Sequence, residues 1–191
     1  MKTVVITGGA TGIGLAIAEH FLSNKWQVMI TWSNAERLAQ VKQELGSKYG
    51  AELIVFCQTD VTNEEEVNAL HNMTSERFGK VDAVVNNAGI VIWGHVHEMA
   101  AADWNSIFNT NVKGTFINMT RSMAMGYGKY GVRVNSVAPG PTNTSMFPLE
   151  FKEAFSQNSP LGRIVEPEKI AKAVFFMLQM FRAPSLEKQS L

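Results

Sequence analysis

The run Thr7-Gly8-Gly9-Ala10-Thr11-Gly12-Ile13-Gly14 constrains this chain more than any other stretch. It stands between the β-branched run Val4-Val5-Ile6 and a segment with Leu15, Ile17, Ala18, Phe21 and Leu22 at helical spacing. Strand, glycine turn, helix is therefore the predicted order. Aligned amides and the helix dipole create an anion site at the start of such a helix, which suits a pyrophosphate. Gly8 permits the tight turn, Gly12 lets backbone approach the phosphates, and Gly14 lets the helix pack closely on the strand. Taken alone, the same glycines also fit an ordinary strand-to-helix turn.

The surrounding chain repeats the pattern. Val28-Met29-Ile30 precedes Ser33-Asn34-Ala35-Glu36, which reads as a capping box ahead of a helix with Leu38, Val41 and Leu45 on one face. Leu53-Ile54-Val55-Phe56 is a third strand, Thr62-Asn63-Glu64-Glu65 a second capping box, and Val67, Leu70 and Phe78 mark the helix behind it. A fourth strand runs from Val81 to Val85. Continuous apolar strands alternating with amphipathic helices predict a Rossmann-type α/β fold, a doubly wound parallel sheet covered on both faces. With 191 residues, 46% hydrophobic and 18% charged, one domain is expected. Cys57 lies within an apolar run and reads as a packed core thiol.

The 17 basic and 17 acidic side chains balance, so no field gathers nucleic acid or an anionic membrane. A small-molecule ligand is expected instead, and no metal cluster is discernible. Met1-Lys2 leads directly into a short strand, with no long apolar segment behind it, which predicts a cytoplasmic protein without a membrane anchor.

Past the fourth strand the rhythm breaks. Trp104, Ile107, Phe108, Val112 and Phe116 predict a long helix from about Ala102 to Thr120, and Val132 to Val137 predicts a further strand. A strand, a helix and their loops need about 25 residues, and only Arg121 to Gly131 separate the two. One β-α unit is therefore missing near Thr120-Arg121. Arg121-Ser122-Met123-Ala124-Met125 reads as the end of a helix whose beginning is absent. Pro167 opens a helix through Ile170, Val174 and Leu178, but no final strand follows it.

The spacing Thr-Gly-x-x-x-Gly-Ile-Gly, with Asp60-Val61, Asn86-Asn87-Ala88-Gly89, Asn111-Val112-Lys113-Gly114 and Pro139-Gly140 in order behind it, resembles the short-chain dehydrogenase/reductase family. The closest flavour is its 3-oxoacyl-carrier-protein reductase-like or sugar and polyol dehydrogenase-like branch. The resemblance implies an NAD(P)-dependent oxidoreductase that interconverts an alcohol and a ketone by hydride transfer. It implies cofactor contacts at Thr7, Gly8, Thr11, Gly12, Ile13 and Gly14, at Asp60 and Val61 beside the adenine, and at Asn87, Ala88 and Gly89. Pro139, Gly140, Thr142 and Thr144 would border the nicotinamide. Asn111 is the one implied catalytic residue present, holding a water in a proton relay. Each also has a plainer reading: Asn86 and Asn87 as turn formers, Asp60 as a neighbour of a helix cap, Asn111 as a satisfied structural amide.

The family's tyrosine, and the lysine four residues later that lowers the tyrosine's pKa, are absent from these 191 residues. Tyr49 is followed at that spacing by Leu53, Tyr127 by Gly131 and Tyr130 by Val134. The preferred reading is that the natural chain carries further residues between about Thr120 and Arg121, because losing a central strand would expose edges and apolar faces. If the deletion is genuine, a catalytically incomplete dinucleotide-binding protein or a partner-binding subunit is the alternative.

Cofactor preference is read at Thr31-Trp32-Ser33-Asn34, where NAD enzymes carry an acid for the ribose. No acid is present, and neither is the arginine of many NADP enzymes, there or at Thr11. The lean is towards NADP(H) over NAD(H), with Ser33 and Asn34 as phosphate partners, although Ser33 also suits a helix cap. Trp93, His95, His97, Met146 and Phe147 fall in loops where the family builds its pocket for a small carbonyl or alcohol substrate. The resemblance and the apolar helix around Trp104, Phe108 and Phe116 lead to an expected homotetramer.

Overall fold

In the computed structural model, the described residues are 1–113, 132–159 and 161–179. They begin with three β-α units: β1 (Thr3–Ile6), α1 (Gly12–Ser23), β2 (Gln27–Trp32), α2 (Ala35–Tyr49), β3 (Ile54–Gln58) and α3 (Glu64–Phe78). Then come β4 (Ala83–Val85), α4 (Ala101–Ile107), α5 (Leu149–Asn158) and α6 (Pro167–Gln179). The four strands form one parallel sheet in the order β3-β2-β1-β4. The reversal between β1 and β4 places a crevice at the carboxyl ends of these strands, where ligands of such sheets bind.

The two sheet faces are filled unequally. Val4, Ile6, Val28, Ile30 and Ile54 face α1, α2 and α6, which bury Ile17, Phe21, Val41 and Phe175 against them. Phe21 is fully buried and meets Trp26 and Phe175 edge-on at 4.9 and 5.0 Å. Burying a side chain of this kind contributes roughly 1.5–3 kcal/mol. His20 also meets Phe175 edge-on, and desolvation together with the charge of Lys172 holds its imidazole below the ordinary value. The opposite face has a much smaller cluster of Val5, Met29, Cys57 and Leu70. Beside it a groove of about 630 Å³ opens between α3 and the sheet, lined by Val5, Val61, Val67, Leu70 and Val84 among others. Val84 remains 56% exposed. Cys57 is a buried free thiol, as its sequence context predicts.

Several expectations shift. The caps of α2 and α3 are Asn34 and Asn63, not Ser33 and Thr62, so each helix starts one residue later than the capping-box reading implies. The partner of Asn63 is Glu66, whose carboxylate also accepts from the Asp60 amide. Of the long helix expected from about Ala102 to Thr120, the described part is α-helical through Ile107 and widens into a π-type turn over Phe108–Lys113. The expected strand over 132–137 does not form. A strand exists through its ladder bonds, and no neighbour pairs with this segment among the described residues. Instead Arg133 forks over the carbonyls of Met177 and Leu178 at 3.0 and 2.6 Å, satisfying acceptors at the end of α6. The expectations for Phe116, Thr120, Arg121–Gly131 with Tyr127 and Tyr130, and the tail from Arg182 lie outside the described residues. Among the described residues, no helix is long and apolar enough to cross a membrane, and no acid, His or Cys cluster is placed to hold a metal.

Candidate active site

The loop after β1 is built by close approach. Thr7 donates its amide to the Val85 carbonyl and Gly9 donates to the Thr31 carbonyl, both at 3.0 Å, so the loop emerges between the ends of β2 and β4. Gly8 has φ +67°, and a Cβ there would lie 2.8 Å from the Cα of Ala88. A Cβ on Gly14 would lie 2.2 Å from the Gly8 carbonyl oxygen, so only glycine permits α1 to start so near the loop. Gly12, at φ +52°, faces the Thr144 methyl.

α1 begins differently from α2 and α3. Thr11 occupies its N-cap in an extended conformation, but its side chain makes no capping bond. The first helical bond runs from Leu15 to Thr11, leaving the amides of Gly12, Ile13 and Gly14 without intrahelical acceptors. Gly12 lines a cavity of about 590 Å³ together with Asn143, Thr144, Ser145, Phe147 and Lys152. Unpaired amides, the positive end of a helix dipole and a glycine floor fit a diphosphate.

Thr7 and Asn87 lock this loop to the one after β4. The Thr7 hydroxyl accepts from the amides of Asn87 and Ala88 at 3.0 and 3.1 Å. The Asn87 amide group donates to the carbonyls of Thr7 and Gly8 at 3.0 and 3.1 Å. These side chains thus hold the shape of the crevice. Asp60 accepts from the amide and hydroxyl of Thr62 at 2.9 and 2.8 Å, closing the turn into α3, while Val61 lines the groove beside Thr7. Asn111 forms a two-bond clamp on Ile90: Oδ1 accepts from its amide at 2.9 Å and Nδ2 donates to its carbonyl at 2.8 Å. Both polar atoms of that side chain are therefore engaged in shaping the loop that contains Gly89.

Asn143, Thr144, Ser145 and Phe147 close the opposite wall, whereas Pro139 and Gly140 are exposed and do not line the cavity. Thr142 donates to the Gly140 carbonyl at 2.8 Å and bridges to Val165, which carries Thr144 to Gly12. Trp93 meets Phe147 and Phe151 at 6.1 and 5.4 Å, so two of the five expected pocket residues join an aromatic cluster. His95 and His97 stack on one another at 5.5 Å, and Met146 is largely exposed.

At the ribose end, Asn34 spends its carbonyl oxygen on the Arg37 amide, whereas the exposed Ser33 hydroxyl has no partner among the described residues. Arg37 is the residue that sequence reading overlooks. Its Nε donates to the Ala10 carbonyl inside the glycine loop at 3.0 Å, and its Nη1 reaches Gln40 at 3.1 Å. A search confined to the end of the strand misses it. The usable signal is its spacing, one helical turn past the Asn34 cap.

Comparison with known proteins agrees with this geometry. Residues 2–119 match the short chain dehydrogenase family model. The chain belongs to the short-chain dehydrogenase family. Residues 113–182 of this short-chain dehydrogenase match a second model of related enzymes, described as enoyl-(acyl carrier protein) reductase. Meso-2,3-butanediol dehydrogenase of Serratia marcescens is 28% identical over 221 residues, covering 92% of this chain and 86% of that protein. A (2S)-[(R)-hydroxy(phenyl)methyl]succinyl-CoA dehydrogenase subunit of Thauera aromatica is 26% identical over 221 residues, with 92% and 88% covered. Among solved structures, a short chain dehydrogenase from Bacillus anthracis superposes with TM-score 0.83 at 26% identity, covering 94% of this chain and 89% of that one. ElxO with NADP bound superposes with TM-score 0.85 at 28% identity, covering 95% and 92%. The family assignment makes this dehydrogenase an NAD(P)-dependent oxidoreductase of the alcohol and ketone type. Both curated alignments span 221 positions against 191 residues here, so at least 30 positions of each match face no residue of this chain.

Proposed function

We propose that this dehydrogenase binds NADP(H) in the crevice between the glycine loop and the wall of Asn143, Thr144, Ser145 and Phe147, and reduces a small carbonyl compound reversibly. The observation that carries the reading is the uncapped, glycine-floored start of α1 beside a cavity large enough for a small-molecule ligand. Gly8, Thr11, Gly12, Ile13 and Gly14 would hold the diphosphate. Asp60 and Val61 would border the adenine, and Ala88, Gly89, Pro139, Gly140, Thr142 and Thr144 the nicotinamide half. The cofactor supplies the hydride. Thr7, Asn87 and Asn111 keep the loops around it in place through their bonds to backbone.

Arg37 supports NADP(H) over NAD(H). Its guanidinium is tethered to Ala10 inside the glycine loop, its one acidic neighbour among the described residues is the exposed Glu44 at 3.6 Å, and Thr31-Trp32-Ser33-Asn34 contains no acid. A 2′-phosphate favours a guanidinium strongly. Fluorescence titration should give saturable NADPH binding, tighter than NADH, and Arg37→Gln should cut the NADPH preference about tenfold. Equal loss for both cofactors would make Arg37 only a strut for the loop.

The same reading includes a strand-helix unit in the natural chain near Thr120-Arg121. The surplus aligned positions support it, as do the exposed Val84 and the open groove against α3. It also includes a cytoplasmic homotetramer. Trp104 and Phe108 stack at 5.5 Å with nearly half of each exposed, which suits an intersubunit face. Light scattering at micromolar concentration should give four times the chain mass, and a monomer would leave that pair without this role.

A further inference from the structure

We propose that Lys152 is the counter-charge for the diphosphate of the bound dinucleotide, an inference that rests on the cofactor reading above. The loop from Thr7 to Gly14 contains no basic residue, and Arg37, bonded to Ala10 and paired with Glu44, is assigned above to the 2′-phosphate, so the loop itself meets two negative charges with backbone amides. Partial charges at a helix end amount to roughly half an elementary charge, which leaves most of the diphosphate charge uncompensated. Among the residues lining the 590 Å³ cavity that Gly12 floors, Lys152 is the one cation, and no carboxylate accompanies it.

The surroundings of Lys152 hold the ammonium in place without neutralising it. Nζ donates to the side-chain carbonyl oxygen of Asn143 at 2.7 Å. Asn143 in turn donates its amide group to both carboxylate oxygens of Glu166, at 3.2 and 3.1 Å, and its backbone amide to the Val165 carbonyl at 2.8 Å. A neutral amide thus stands between the lysine and the nearest acid of this network. An ammonium has three donors, and one is engaged here. The lysine sits on the second turn of α5, whose approach to the glycine loop is set by Thr144 against Gly12. Lys152 is only partly exposed, so solvent screens its charge less than on an open surface. Asn143 and Glu166 act as positioning residues, aiming a charge from the wall opposite α1 towards the place where the diphosphate belongs.

The test uses the full chain and three probes that share the diphosphate: NADPH, NADH and ADP-ribose. Lys152→Gln keeps a donor for Asn143 but removes the charge, and Lys152→Arg retains charge. Lys152→Gln should weaken all three ligands by a common factor of about ten and flatten the salt dependence of binding, while Lys152→Arg should restore most of the affinity. Unchanged affinities in Lys152→Gln would overturn the inference, as would a loss that appears only in the KM of a carbonyl substrate, which would assign the charge to substrate. A loss that Lys152→Arg fails to recover would reduce the residue to a packing role and overturn it too. Wild-type chain that binds none of the probes overturns the cofactor reading itself, whereas wild-type binding with an indifferent Lys152→Gln overturns this inference alone.

Discussion

Turnover of a ketone by the 191-residue chain is expected to fall about a hundred- to ten-thousandfold below that of a chain carrying a serine and Tyr-x-x-x-Lys between Thr120 and Arg121. Hydride delivery to a carbonyl leaves an oxyanion that must take a proton, and a positioned acid contributes about 10²–10⁴-fold to such a step. A phenol with pKa about 10 needs a nearby ammonium to exchange protons at neutral pH. No tyrosine of this chain has a lysine four residues later, and Tyr49 is engaged with Ser23 at 3.2 Å at the far end of α2. Asn111 supplies neither a proton nor a charge, and both of its polar atoms are committed to Ile90. Cofactor affinity should change little between the two chains, because the glycine loop and the Thr144 wall are common to both. NADPH oxidation over a panel of ketones and 3-oxoacyl thioesters measures the chemistry. Intact mass and peptide mapping of the protein from its natural source decide which chain is made: a mass well above 21.1 kDa reveals the added unit. Full turnover by a protein of 21.1 kDa that maps directly from Thr120 to Arg121 would overturn this account of the proton donor.

Gly14→Ala is expected to lower NADPH affinity at least about a hundredfold and to destabilise the fold by about 1–3 kcal/mol. The added methyl would overlap the Gly8 carbonyl oxygen at 2.2 Å, and the obstacle is backbone rather than a movable side chain. Relief requires the start of α1 to retreat from the loop, carrying the amides of Gly12 and Ile13 with it. Gly46, inside α2, is the control: nothing lies within 4 Å of its would-be Cβ. Gly46→Ala should stabilise by roughly 0.5–1 kcal/mol, since alanine removes unfolded-state freedom in a helix interior. Thermal denaturation and cofactor titration of the two variants separate these effects. Wild-type affinity in Gly14→Ala would mean that the diphosphate does not rest on α1. Gly12→Val is a milder steric test at the Thr144 methyl, but its φ of +52° adds backbone strain for a β-branched residue.

Periodicity and turn chemistry made the first three β-α units legible, with β1 to β3 and α1 to α3 within a few residues of expectation. The caps were legible only to within a residue. Ser33-Asn34 and Thr62-Asn63 each offer two capping side chains, and the backbone angles at the helix start select the asparagine both times. The π-type turn at Phe108–Lys113 escapes a 3.6-residue pattern because one inserted residue barely disturbs apolar spacing over a single turn. The segment 132–137 has strand composition but no strand, since ladder bonds depend on a neighbour supplied from elsewhere in the chain.

The sequence by itself determined the parallel α/β class, the glycine loop, the family, and the absence of a tyrosine and lysine at the needed spacing. Those are local properties, carried by residue type and by separations of a few residues. Only the tertiary structure decided which side chains share the crevice. It engaged Asn34, Asn87 and Asn111 with backbone and folded Arg37 back onto Ala10. It also set Lys152 in the cavity wall opposite Gly12. The physical reason is distance along the chain: Gly12 and Lys152 meet only because β1 ends in the same crevice to which the bridge between Thr142 and Val165 carries the later segment.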